Sequence, residues 1–287
     1  MIHQKQVLFN TLSTFTSFYG IMFCRHLALF VLCRLPRVFA GVGFSMARGW
    51  AQRMAGNLAL VGGAEFQPGD DQADQLLIEA AGGAGVRVAI LPTAAAAEGA
   101  PHMAAANGVR HFNRLGAQAF GVMIVDRATA NDASLAAPLA SAQLIYIAGG
   151  DPGYLLRSLK GSLAWRVMLD AWSEGAVLAG SSAGAMVLCE AMWNPATRRV
   201  EPALAMVKRA AVIPHHRPAS GWAGQLRREL DQAFSILGIP EQTSLIWNGT
   251  TWQVAGPGDV AIYSQGQVAV HPPGDVFALD GVGLNVG

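Results

Sequence analysis

Short apolar runs alternate with helical patterns along most of the chain from Asn57 onward. Most of the apolar runs are followed by Gly, Pro or Ser, and the segments between the earlier runs carry apolar residues at helical spacing. Strands that are apolar throughout and separated by helices predict a parallel sheet covered on both faces. The predicted strands are 58–61, 86–91, 119–125, 144–148 and 176–179, and the predicted helices are 74–81, 101–115, 131–139 and 155–174, the last broken near Gly161.

The pattern changes after Pro214. A helix is predicted over 222–237, stopped by Gly238 and Pro240, and the short strands 244–247, 251–255, 259–263 and 267–270 follow. Right-handed crossovers between the earlier strands give a doubly wound, three-layer α/β sandwich with antiparallel strands near the C-terminus. Because neither a linker nor a repeat interrupts this region, we expect one α/β hydrolase-type catalytic domain over 56–287.

Residues 1–45 differ from the rest of the chain. Two apolar runs, 11–24 and 27–33, are separated by Arg25 and His26, and neither reaches the roughly 20 residues that a membrane helix needs. Three interpretations stay open: a poor signal peptide or anchor, an amphipathic docking segment, or a non-native extension with translation starting at Met46 or Met54. We expect a cytoplasmic protein, with export or membrane anchoring through 1–45 as the alternative.

Composition and charge exclude several classes of function. The chain is 52% hydrophobic and 14% charged with a formal net charge of +1, which argues against disorder and against a nucleic-acid partner. The three cysteines (Cys24, Cys33 and Cys189) are too scattered for a disulfide framework or a zinc site. Because phosphate-binding glycine motifs and metal-ligand clusters are also missing from the sequence, we expect no cofactor and no metal.

A candidate nucleophile lies in a G-x-S-x-G motif. Residues 180–184 read Gly-Ser-Ser-Ala-Gly, after a predicted strand and before a predicted helix, which is the context that a nucleophile elbow requires. Small neighbours permit the crowded turn, and the helix N-terminus favours negative charge beside Ser182. A plain helix N-cap is the alternative interpretation of the same serine.

A nucleophilic serine needs a base, and a base is commonly oriented by an acid. His215 and His216 follow a short apolar strand downstream of Ser182, where a base belongs. The residues leave the acid open, and Glu201 is favoured over the other candidates, which are Asp170, Glu174 and Glu190.

The oxyanion hole needs two backbone donors. The amide of Ala183 is one candidate, and the Gly149-Gly150 turn, which follows a neighbouring predicted strand, can supply the other. Gly149 and Asp151 in the same turn are substrate-binding candidates. The turn also fits a helix start, with Asp151 as N-cap and Pro152 at the first helical position.

Four segments together resemble one family of enzymes. They are Leu-Val-Gly-Gly at 60–63, Ile-Ala-Gly-Gly-Asp-Pro at 147–152, Gly-Ser-Ser-Ala-Gly-Ala-Met-Val at 180–187 and Ile-Pro-His-His at 213–216. This set resembles the serine peptidase family of cyanophycinase and peptidase E, an aspartyl dipeptidase, often labelled type 1 glutamine amidotransferase-like. The stretch 238–245 is also similar to a segment before that family's last strands.

The resemblance implies a class I glutamine amidotransferase-like α/β fold in which Ser182 replaces the usual cysteine. It implies His215 as base, because His216 falls where the family usually has Phe, and an oxyanion hole from Gly150 and Ala183. In the loop window where the family usually has its acid, 197–202, the only carboxylate is Glu201. Cyanophycinase carries Asp-Gln-His-Phe where this chain has Ile-Pro-His-His, so cyanophycin is not the expected substrate.

Three functions are compatible with these residues. The first is a serine-type peptidase that cleaves a peptide or isopeptide bond of a small peptide, an acidic one among the candidates, through an acyl-enzyme on Ser182. The second is an α/β-hydrolase-type esterase, for which His271 is the distant candidate base. The third is a non-catalytic relative that binds a ligand. An antiparallel edge strand near the C-terminus would suit a homodimer.

Overall fold

A computed structural model describes residues 56–284 of the chain. The prediction for residues 1–45 lies outside this range. The strands, in chain order, are β1 Leu58–Val61, β2 Arg87–Leu91, β3 Gln118–Gly121, β4 Leu144–Ile147, β5 Val177–Ser181, β6 Ala191–Asn194, β7 Arg199–Pro202, β8 Val207–Lys208, β9 Ala210–Ile213, β10 Ser235–Gly238, β11 Ser244–Trp247, β12 Trp252–Ala255, β13 Val260–Ser264, β14 Gln267–His271, β15 Val276–Phe277 and β16 Gly283–Leu284.

The α-helices are α1 Asp71–Ala80, α2 Pro101–Arg114, α3 Ala133–Ala136, α4 Pro152–Leu159, α5 Leu163–Ser173, α6 Ala183–Leu188 and α7 Trp222–Arg227. Short 3-10 helices cover Pro68–Asp70, Ala94–Glu98, Thr129–Asn131, Ala137–Ser141 and Pro218–Ser220. Within 56–284, none of these helices is long and apolar enough to cross a membrane.

The main sheet has eight strands in the order β15-β12-β11-β1-β5-β4-β2-β3. The five neighbouring strands β1, β5, β4, β2 and β3 pair in parallel. On the other side of β1, the strands β11, β12 and β15 extend the sheet with antiparallel pairs. Successive residues of β1 enter two different cores: Leu58 and Leu60 pack with α4, α5 and α6, whereas Ala59 and Val61 pack with α1 and α2. Helices therefore cover both faces, and the predicted three-layer, mostly parallel α/β architecture is confirmed.

A second sheet has four strands in the order β14-β13-β10-β9. Strands β9 and β10 pair in parallel, with Ile213 opposite Gly238, and β13 and β14 add antiparallel pairs. The chain passes from β10 of this sheet directly to β11 of the main sheet. The loop between these strands therefore lies where the two sheets meet.

The helix predicted over 222–237 is wrong in its second half. Helix α7 ends at Arg227, and residues 235–238 form β10, which is buried along its whole length. A short apolar run can be a buried strand or part of a helix, and periodicity alone does not separate them. Here pairing with both β9 and β13 favours the strand.

The break predicted near Gly161 is confirmed. Helix α4 ends at Leu159, Gly161 has a φ of +68°, and α5 begins at Leu163 after Ser162, whose side chain accepts a hydrogen bond from the Trp165 amide. The sequence analysis did not predict the hairpin of β6 and β7, which follows α6.

Candidate active site

Ser182 lies between β5 and α6 in a strained backbone conformation, with φ of 49° and ψ of −107°. A positive φ is costly for a residue with a Cβ and persists only where the surroundings enforce it. Here the Ser182 amide donates to the Val61 carbonyl, and its own carbonyl accepts from the Met186 amide at the start of α6. The hydroxyl is thereby presented at the carboxyl end of the parallel sheet, as a nucleophile elbow requires.

Gly180 and Gly184 allow this turn to close. A Cβ on Gly180 would lie 2.5 Å from the backbone carbon of Gly184, and one on Gly184 would lie 2.6 Å from the Ile147 carbonyl oxygen. Both distances are well below contact, so only glycine fits at these two positions. The G-x-S-x-G pattern is thus a packing requirement of the turn as well as a sequence motif.

His215 lies beside Ser182. Its Nε2 lies 3.0 Å from the Ser182 Oγ, and its backbone, with a φ of 50°, is held by a 2.7 Å hydrogen bond from its amide to the Gly62 carbonyl. Gly63, with a φ of +112°, lies beneath the ring, since a Cβ there would approach His215 Cε1 to 2.3 Å. The loop after β1 therefore positions the imidazole.

His216, the alternative base, has a different role. It is buried, its Nε2 lies 2.9 Å from the Tyr263 hydroxyl, and its ring packs closely against Gly238. Burial lowers the pKa of His216, which favours the neutral ring. The structure therefore places His216 against β10 and β13 of the second sheet, and His215 at Ser182.

The carboxylate beside His215 is Glu241 and not Glu201, the residue that the sequence favours as the acid. Glu241 Oε1 lies 2.9 Å from His215 Nδ1. A carboxylate only accepts, so Nδ1–H donates to Glu241 and, in the neutral ring, Nε2 accepts from the Ser182 hydroxyl. About half of each side chain, 46% of His215 and 50% of Glu241, is exposed, so the pair lies at an open edge of the site.

Glu201 lies on β7 and bonds within its own hairpin. It accepts hydrogen bonds from Asn194 Nδ2 at 2.9 Å and Thr197 Oγ1 at 2.6 Å. These two bonds hold the pKa of the Glu201 carboxyl below its usual range. Glu190, another of the carboxylates that the sequence offers as the acid, accepts a hydrogen bond from the Arg209 amide at 2.7 Å. Neither carboxylate has His215 as a partner.

Sequence reasoning missed Glu241, although a signal for it exists. Ile239-Pro240-Glu241 comes directly after β10, and Pro214-His215 comes directly after β9, whose last residue is Ile213. Because β9 and β10 are parallel neighbours, the two segments leave the sheet side by side. Recognising β10 as a strand would have placed Glu241 next to His215.

The turn at 149–152 contributes one open backbone amide. Gly150 has a φ of +137°, and a Cβ there would lie 2.4 Å from the Ala94 carbonyl carbon. Among residues 56–284, neither the Gly150 nor the Ala183 amide has a hydrogen-bond acceptor, so both predicted oxyanion donors are available. Asp151 caps α4 by accepting from the Tyr154 amide at 2.6 Å.

Gly149 is not available as a substrate donor, because its amide is engaged by Glu65. Glu65 Oε1 accepts from the Gly149 amide at 2.8 Å, and its Oε2 accepts from the Ser181 hydroxyl at 2.8 Å. The same carboxylate thus links the turn at 149–152, which we call the oxyanion turn, to the turn around Ser182. Glu65 lies between Ala64 and Phe66, both at positive φ, and the sequence analysis did not single it out.

The described residues show neither a second base nor a metal centre at this site. His271 lies on β14, stacked on Phe277, with its Nδ1 2.8 Å from Asp275 Oδ2. Within 56–284, groups of three His, Cys, Asp or Glu side chains that could hold a metal ion are absent. The one free cysteine in that range, Cys189, is buried, and burial raises the pKa of its thiol.

The comparisons with known proteins agree with this geometry. The model of peptidase family S51 matches residues 58–255. A peptidase from an acI-B1 Actinobacterium has a similar solved structure, with a TM-score of 0.70 and 28% identity over 79% of this chain and 98% of that one.

A putative peptidase E protein from Listeria monocytogenes EGD-e has the same fold, with a TM-score of 0.53 and 18% identity over 71% of this chain and 100% of that one. The chain has no significant match among curated proteins. The family model spans more than half of the chain and includes Ser182, His215 and Glu241. The chain therefore belongs to peptidase family S51.

Proposed function

We propose that this protein is a serine peptidase that hydrolyses a peptide or isopeptide bond of a small peptide through an acyl-enzyme. The hydrogen-bonded series Ser182–His215–Glu241 is the observation that carries the proposal. It has the nucleophile, base and orienting acid of a catalytic triad, in the order in which a serine hydrolase uses them. Membership of a peptidase family supports the same chemistry.

In the proposed mechanism the Ser182 Oγ attacks the substrate carbonyl carbon while its proton passes to His215 Nε2. The amides of Gly150 and Ala183 donate to the resulting oxyanion. The imidazolium, stabilised by Glu241, then protonates the leaving amine, and the C–N bond breaks. Water, deprotonated by the same imidazole, attacks the acyl-enzyme and releases the carboxylic acid and Ser182.

Labelling with a fluorophosphonate tests this proposal on the full 287-residue chain. We expect wild type and Ser141→Ala, a change at an exposed serine far from the elbow in sequence, to label, and Ser182→Ala and His215→Ala to lose labelling. Asp- and Glu-containing dipeptides and isopeptides, together with neutral dipeptides, then serve as substrates. Folded wild type that neither labels nor cleaves any of them would contradict the proposal and favour a non-catalytic relative.

The esterase alternative is tested by the same labelling. It requires His271 as base, and His271 bonds to Asp275. We expect His271→Ala to label like wild type. Loss of labelling in His271→Ala together with full labelling of His215→Ala would favour the esterase.

A further inference from the structure

A cavity of about 450 Å³ opens beside the base. His215 is part of its wall, and so is Met186, which lies on α6 one turn after Ser182. Residues four apart lie on the same face of a helix, so Met186 lies on the side of α6 that faces Ser182, the proposed nucleophile. The cavity is thus continuous with the proposed catalytic residues.

The other walls are largely apolar. Trp193 from β6 and Trp222 from α7 meet edge to face, with ring centroids 5.7 Å apart. Val212 and Leu226 close the interior, and both are almost completely buried. We call this cavity the tryptophan pocket, defined by Met186, Trp193, Val212, His215, Trp222 and Leu226.

Trp222 is unusual for its exposure, because 40% of this large apolar side chain is open to solvent. Arg217 is the only Lys, Arg, Asp or Glu residue in the lining of the pocket, and within 56–284 it makes no salt bridge. A carboxylate that entered could pair with Arg217 alone, and its remaining contacts would be mainly apolar, where the loss of hydration is costly. An aromatic group would instead cover apolar surface.

We propose that the tryptophan pocket binds an apolar, aromatic-sized side chain of the substrate next to the scissile bond. This inference rests on the proposed function, and within the small peptides proposed there it favours those with an apolar, aromatic-sized residue over acidic ones. The sequence does not indicate this pocket, because Trp193 and Trp222 lie 29 positions apart and are brought together by the β6–β7 hairpin and α7.

Binding to Ser182→Ala tests the pocket without requiring turnover. N-acetyl-phenylalanine amide, N-acetyl-alanine amide and N-acetyl-aspartate amide are titrated, and their Kd values are measured by NMR and by tryptophan fluorescence. We expect the phenylalanine compound to bind about tenfold or more tightly than the other two, the scale of discrimination that apolar pockets achieve. Equal affinities, absence of binding by all three, or preference for aspartate would overturn the proposal.

Two further substitutions in the Ser182→Ala background locate the site. Ser220→Trp introduces a bulky ring at an exposed lining position, and Trp222→Ala removes one wall. Each is expected to abolish the preference for phenylalanine. The matched control is Val268→Ala, which changes an exposed apolar residue on β14 that does not line the pocket, and should keep it. A preference that survives both pocket substitutions would place the binding elsewhere.

Kinetics on the active enzyme separate this proposal from the proposed function. Phe-Ala and Ala-Phe are compared with Ala-Ala, which shows whether the aromatic group is needed on the acyl or the leaving side. Fluorophosphonate labelling without any preference for phenylalanine would contradict the pocket alone. Selective binding by Ser182→Ala with no labelling of wild type would contradict the peptidase proposal alone.

Discussion

Glu241 and Glu201 are two carboxylates in different surroundings, and a matched pair of substitutions separates them. Glu241→Gln removes the charge that stabilises an imidazolium at His215, so we expect the rate of Ser182 phosphonylation to fall by about 100-fold. Glu201→Gln changes only contacts within the β6–β7 hairpin and should leave the rate near that of wild type. The second-order rate with a fluorophosphonate measures both. A slow Glu201→Gln beside a normal Glu241→Gln would reverse the assignment.

Glu65 acts through its neighbours, because it bonds the Gly149 amide and the Ser181 hydroxyl without touching Ser182 Oγ. Glu65→Ala frees the oxyanion turn from the elbow, and a displacement of about 1 Å at a reacting group can cost about 100-fold in rate. Glu65→Gln keeps an acceptor for Gly149, and its amide can donate to Ser181. We therefore expect labelling to be slow in Glu65→Ala and largely rescued in Glu65→Gln, at similar unfolding midpoints. Equal rates in all three proteins would refute this positioning role.

Among the elements, the loop after β1 holds most of the site. The Gly62 carbonyl accepts a hydrogen bond from the His215 amide, and the Gly63 carbonyl accepts one from the Gln242 amide. The Glu65 carboxylate accepts one from the Gly149 amide in the oxyanion turn. Because β1 lies between β5 and β11, this loop emerges between the nucleophile and the segment that carries Glu241. Its conformation therefore sets the distances between the three proposed catalytic residues.

Gly63→Ala tests that dependence. The new Cβ would lie 2.3 Å from His215 Cε1, and the φ of +112° disfavours alanine. Gly83→Ala is the matched control, because Gly83 has a φ of +91° but open space around a Cβ. Both variants should lose about 1 kcal/mol of stability from the backbone, while only Gly63→Ala should label about 100-fold more slowly. Rates that fall equally would attribute the effect to backbone strain.

The sequence predicts the elements whose signals are local. Apolar runs and glycine turns locate β1, β2, β4 and β5, and the elbow around Ser182 needs only five consecutive residues. Glu241 carries no such signal. Its proximity to His215 depends on the parallel pairing of β9 with β10, and the sequence pattern predicts the end of a helix where β10 lies. The tryptophan pocket was missed for the same reason, because its walls come from α6, β6, β9 and α7.

At the scale of the whole molecule, Asp70 couples global stability to pH. Burial is the main cause that raises its pKa to about 7. Its Oδ2 accepts from the Gln67 amide, while its Oδ1 has no hydrogen-bond partner among residues 56–284. The folded protein binds this proton more tightly than the unfolded chain does, so the free energy of unfolding falls as pH rises from about 4 to about 7.

Asp70→Asn removes that dependence and keeps an acceptor for Gln67. We expect wild type and variant to match near pH 4, and the variant to be increasingly more stable up to about pH 7 and above. Asp71→Asn is the control of opposite sign, because the hydrogen bonds from Arg114 lower the pKa of Asp71, so that its stabilising effect is lost as pH falls. Urea denaturation measures both effects, between about pH 4 and pH 7 for Asp70 and below about pH 4 for Asp71, whose pKa lies under the ordinary aspartate value. A constant difference between wild type and Asp70→Asn would contradict the linkage.

The central position of β1 also determines when, during synthesis of the chain, the proposed site can be completed. Ser182 leaves the ribosome before His215, and His215 before Glu241, whose loop is fixed only when β11 pairs with β1. A growing chain that has made the elbow therefore still lacks the groups that would activate its hydroxyl. Unfolded polypeptide is itself a chain of peptide bonds. This protein acquires its proposed ability to hydrolyse such bonds only after β11 has paired with β1.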